Sequence, residues 1–238
     1  MRFTAFCKAT RSPEAALFKA LTGIEPNRVT KDNAQALVIE EGKHPEHKGS
    51  SVKIVQHGAR IDVVVEAAEN AAPTRIEDIS LEPNSIQVPI FTLAERIFSN
   101  HSDIVRIAFA ANLFYPIETG GALATLKGLL PHLSQDLERA SEVTYKINRI
   151  TEIDGILFNR LSNWEIARLL ARAIGPGQAV LGGLQATVIG RDFGERLSLE
   201  VECNTDAART TALETQKLGS IFERLVRESA TIAKQGHK

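Results

Sequence analysis

Alternation of apolar and polar positions is cleanest at residues 195–203. Leu197, Leu199, Val201 and Cys203 fall on one face, and Arg196, Ser198, Glu200 and Glu202 on the other. A period of two is what a half-buried antiparallel strand requires. Beyond it the period changes. Asn204-Thr205-Asp206 offers helix-capping side chains. Ala208, Thr211, Thr215, Leu218, Phe222, Leu225, Ser229 and Ile232 then recur at alternating steps of three and four. That stripe predicts one amphipathic helix of about 27 residues, roughly 40 Å at 1.5 Å per residue. It can lie across a curved sheet or pair with its own copy.

The same reading sets out the rest of the chain. Strands are expected at residues 2–9, 36–40, 104–114 and 142–153. A hairpin over His57-Gly58 joins strands at 52–56 and 60–66, with Ile61, Val63 and Val65 facing inward. Residues 41–51 are polar and predict a loop. Ser12-Pro13 predicts a helix start and Gly23 a helix stop, around a face of Leu17, Phe18 and Leu21. Further helices are expected at 90–99 and 118–130. Ser162-Asn163-Trp164-Glu165 matches a capping box and predicts a helix to Ile174, closed by Gly175-Pro176-Gly177. Residues 179–189 and 195–203 are expected to pair as a hairpin over residues 190–194. Residues 69–89 hold three prolines and little periodicity, and read as a connection, a boundary or a functional loop.

Hairpins outnumber strand–helix–strand units in this order. The expected class is therefore α+β, with mainly antiparallel sheet, flanking helices and a long C-terminal amphipathic helix. The chain is read as one domain, 1–238. An alternative is two subdomains, a β-rich 1–70 and a 90–238 unit of sheet plus long helix.

Composition excludes little. At 238 residues with 43% hydrophobic and 24% charged residues, the chain resembles ordinary globular proteins. A formal charge of −1 gives no general attraction to nucleic acid or membrane. Charge is uneven, however: residues 1–60 carry ten Lys/Arg against six Asp/Glu, and residues 61–100 carry two against seven. Opposed segments of this kind fit either a solvated surface or a self-complementary contact. Cys7 and Cys203 are far apart in sequence and lie among apolar neighbours, as free thiols of a reducing compartment do. With no secretory leader and no apolar run of membrane length, the expected location is cytoplasmic.

Candidate chemistry is sparse. His44-Pro45-Glu46-His47 has a spacing that can ligate a metal, but it falls in a polar loop where surface histidines are common. Lys146-Ile147-Asn148-Arg149 draws more attention. Val143, Tyr145 and Ile147 alternate as an inward face, which places Arg149 in phase with them. Either the strand bulges near Asn148, or Arg149 enters a cavity and needs an anionic partner such as Glu152, Glu165 or a ligand, or it reaches the sheet edge and snorkels, the commoner outcome for such a side chain. Arg160 and Trp164 lie close by in sequence. Together they can stack a ligand, although a lone Trp on an amphipathic element is more often a core anchor. No phosphate loop, nucleophile elbow, zinc-protease or Cys-x-x-Cys motif is present, so no catalytic residue, cofactor or metal is assigned.

Tyr145-Lys146-Ile147-Asn148-Arg149-Ile150, followed by a hairpin, an alternating strand and a long helix with Phe222 as its aromatic, resembles a sporadically distributed, uncharacterised bacterial family. The resemblance spans about residues 140–235. It implies no activity, and its patchy occurrence implies an accessory role, including antiviral defence. The expected function is binding or assembly, without catalysis, as a homo-oligomer or as a subunit of a larger complex. The candidate contacts are Lys146, Asn148, Arg149, Arg160 and Trp164. One alternative is nucleic-acid binding through Lys8, Arg11, Lys43, Lys48, Lys53 and Arg60. The other is an enzyme or small-ligand binder with a cavity between sheet and helix, lined by Tyr145, Arg149 and Trp164.

Overall fold

A computed structural model describes residues 1–9, 16–45, 50–67, 90–115, 117, 121–133, 137, 140, 142–175 and 187–236, with side chains of 67, 167–175 and 187–194 excepted. In chain order the elements are β1 (Arg2–Cys7), α1 (Leu17–Thr22), β2 (Arg28–Asp32), β3 (Leu37–Lys43), β4 (Ser50–His57), β5 (Arg60–Ala67), α2 (Phe91–Asn100), β6 (Ile104–Tyr115), α3 (Gly121–Leu129), β7 (Val143–Ile153), β8 (Ile156–Gly175), β9 (Thr187–Thr205) and α4 (Thr215–Gln235). The nine strands form one sheet in the order β2-β3-β4-β5-β1-β6-β9-β8-β7, and every neighbouring pair is antiparallel. This is the expected α+β class. The sheet runs unbroken from the N-terminal meander, through β1 and β6, into the C-terminal strands.

Helices cover one face, and the apolar stripes explain why. Phe3, Ala5, Ile54, Val63, Phe109, Leu199 and Val201 point from alternate strand positions into one continuous core. Against them α4 buries Leu218, Ile221, Phe222, Leu225, Val226, Ser229, Ile232 and Ala233. Phe222 lies at the centre of an aromatic cluster, with ring centroids 4.9 Å from Phe3, 5.0 Å from Phe91 and 6.1 Å from both Phe98 and Phe109. Edge-to-face geometry prevails throughout, as ring quadrupoles favour. Gly42 is small because Phe18 lies over it: a Cβ there would stand 2.5 Å from the ring. Glu40 is fully buried, and its carboxylate accepts the N–H groups of Ala16 and Phe18, both at 2.9 Å. It thereby satisfies the start of α1, where no local side chain caps the helix.

Four expectations are corrected. The capping box at Ser162 opens no helix, because residues 156–175 are one strand, β8, paired along β9. Residues 190–194 are not a hairpin tip, since β9 runs through them. The turn that organises this region is Asp154-Gly155, with φ of 52° and 73° and Ile153 opposite Ile156. The C-terminal helix begins at Thr215, so it spans 21 residues, about 31 Å, and Ala208 and Thr211 are exposed ahead of it. The polar stretch at 41–51 contains the end of β3 and the start of β4, and a further strand, β2, precedes them. Ser12-Pro13 and residues 69–89 lie outside the described residues. Among the described residues no helix is long and apolar enough to cross a membrane.

Candidate functional site

β7 lies at the edge of the sheet, and this position governs the candidate residues on it. Its register with β8 is continuous from Val143 opposite Ile166 to Ile153 opposite Ile156, so no bulge forms at Asn148. Arg149 does share the helix-side face, opposite Arg160, but its side chain is exposed. The cavity reading of Arg149 is therefore set aside, and its exposure fits a side chain that reaches the sheet edge and snorkels. Lys146 and Asn148 are exposed on the other face, and Ile150 beside them is 67% exposed.

Arg160, unlike Arg149, is turned toward α4 and largely covered. It sits one strand further in, opposite Cys203, and its Nε lies 3.2 Å from the Glu228 carboxylate on α4. Glu228 also holds Arg224 at 2.9 Å, one helical turn away. The cluster ties sheet to helix. Cys203 beside it is fully buried, and that burial pushes its thiol up to about 11 despite a hydrogen bond with Ser229. Such a thiol is inert.

Trp164 is a core anchor. It is fully buried and packs against Tyr115 with ring centroids 5.5 Å apart. The Tyr115 hydroxyl donates to the carbonyl of Ala233 on α4 at 2.6 Å, and burial raises its pKa. Trp164 is fully buried whereas Arg149 is exposed, so the two do not share an open surface with Tyr145. A groove of about 480 Å³ lies instead at the tip of the β7–β8 hairpin. Ile153, Ile156, Phe158 and Ile221 form its apolar part, with Lys217, Arg224 and Arg227 around it. Each of those cations already has a carboxylate: Glu214 at 2.9 Å, Glu228 at 2.9 Å and Glu223 at 2.8 Å. The groove therefore carries little uncompensated charge.

Two of the basic N-terminal residues are paired with carboxylates. Lys53 pairs with Glu41 at 3.1 Å. Arg60 pairs with Asp62 at 2.8 Å and lies 5.6 Å from the Phe6 ring centroid. Arg106 stacks on the same ring at 4.5 Å. Lys8 and Lys43 are exposed. Arg11, Lys48 and His47 lie outside the described residues, while His44 is buried.

These features define an α+β protein of one antiparallel sheet and one helical layer. No protein-family model matches the chain, and no curated protein matches it. Among solved structures, the crystal structure of the di-domain ARO/CYC BexL from the BE-7585A biosynthetic pathway is similar over 89% of this chain and 79% of that one. The identity is 12% and the TM-score 0.18, a likeness that carries no argument about function.

Proposed function

We propose that the protein is an assembly module that pairs with a second copy of itself through β7. The observation that supports this is an 11-residue edge strand on which the large apolar side chain of Ile150 is exposed. In a two-residue hairpin the closing pair, Ile153 and Ile156, is hydrogen-bonded, so alternate residues back to Val143 bond to β8. Thr144, Lys146, Asn148, Ile150 and Glu152 consequently turn their backbone groups away from the sheet. Long open edges of this kind template further strands. Among the two-fold registers, an axis through Ile150 is the self-complementary one. It sets Ile150 on Ile150, Asn148 opposite Glu152 and Ile147 opposite Ile153. An axis through Arg149 would instead oppose two guanidinium groups.

Sedimentation of the full chain at micromolar concentration tests this reading, with a dimer as the expected result. Ile150→Pro removes an outward N–H without touching the β8 ladder, and Asn148→Glu opposes two carboxylates, its own and that of Glu152. Both should give monomers that remain folded and melt cooperatively, at a temperature lowered only by the lost association. A wild-type monomer, or a dimer indifferent to Ile150→Pro, refutes the reading.

A further inference from the structure

The end of β1 brings together three side chains that sequence separation conceals. β1 and β6 are in register from Arg2 to Phe6, which faces Arg106. Cys7 then faces Ile104, so the register slips by one and Val105 has no opposite. A bulge of this kind re-aims side chains. The backbone around it is held on both sides: Cys7 N–H donates to the Ala59 carbonyl at 2.7 Å, and Lys8 N–H to the Asp103 carbonyl at 2.8 Å. From across the gap comes the end of α2, where His101 N–H closes the last turn on the Ile97 carbonyl at 3.0 Å. As a result the Cys7 sulfur, a ring nitrogen of His101 and a carboxylate oxygen of Asp103 all lie within 4.8 Å of one another. Cys7 is buried, and the other two are half-buried.

We infer that Cys7, His101 and Asp103 form a mononuclear site for a divalent metal of the zinc class. Sulfur, nitrogen and oxygen donors together suit a borderline-soft ion, whereas calcium and magnesium require oxygen throughout. A thiolate and a carboxylate balance the two positive charges. The C-terminal end of α2 adds a field that favours a cation. Three ligands with partly open surroundings leave a fourth position for water or an exchangeable ligand. Binding displaces the thiol proton, so affinity rises with pH. Among the described residues Cys203 has no such company, and it serves as the internal control.

The test uses the full-length chain, stripped with chelator and titrated with zinc and then cobalt(II). One equivalent of zinc should bind, and cobalt should give a thiolate-to-metal charge-transfer band. Cys7→Ser should abolish that band, and Cys203→Ser should leave it. His101→Gln and Asp103→Asn should each weaken binding by at least about tenfold. Asp103→Asn keeps the test valid should Cys7→Ser fail to fold. Sub-stoichiometric zinc, a cobalt spectrum without the charge-transfer band, or unaltered affinity in Asp103→Asn would each overturn the inference.

Discussion

Arg160 on β8 and Glu228 on α4 stand 3.2 Å apart, each about one-eighth exposed. Removing the carboxylate alone strands Arg160 in its largely covered position. Glu228→Ala should therefore destabilise by about 3–5 kcal/mol, as breaking buried pairs does. Replacing the pair together, Arg160→Met with Glu228→Leu, should recover most of that loss. Urea denaturation of the singles and the double closes this cycle. A fully additive double would show that the two side chains do not communicate.

Phe222 meets four other rings and is itself fully buried. Phe222→Ala should cost about 3–5 kcal/mol, while Phe222→Leu should lose less because it keeps most of the volume. Thermal melts report the ranking.

Gly42→Ala should destabilise by about 1–3 kcal/mol through overpacking against Phe18. If that collision is the cause, Phe18→Leu should relieve it, and the double variant should melt above Gly42→Ala. A double variant with summed penalties would place the cost in the β3 backbone instead.

Alkaline pH should expose Cys203. Its folded thiol titrates near 11, and the unfolded one near 9.0. The buried, protonated thiol contributes fully below the unfolded value. Its contribution is then lost as pH rises through the folded one, a decline of about 2–3 kcal/mol. Cys203→Ala should lose that much less stability over the same range. Equal pH slopes for the two proteins would contradict the assignment.

The parts of the fold legible in the sequence are those where one face is buried and the other wet. β9 between 195 and 203, the His57-Gly58 hairpin and the stripe from Leu218 to Ile232 all follow from that contrast. β8 blurs it. Its inward side carries Arg160 and Ser162 beside Trp164 and Ile166, and its outward side carries Leu161, so alternation in hydrophobicity disappears. A fortuitous capping-box spacing then outweighs the Asp154-Gly155 turn, which is the informative local signal. Arg149 shows the same gap from another side. Phase along a strand gives a residue's face, and only the position of the strand in the sheet gives its burial. The Cys7–His101–Asp103 cluster has no linear signature, because a one-residue register slip assembles it.

The contact between Trp164 and Tyr115 has an optical consequence. The chain's single tryptophan sits in a dry interior, against the tyrosine whose hydroxyl holds the last turn of α4. Emission excited at the indole band is therefore a reporter of whether that helix end is docked. Blue-shifted, quencher-resistant fluorescence marks the closed state. A red shift arriving before loss of far-ultraviolet ellipticity would show the helix lifting from the sheet as a unit.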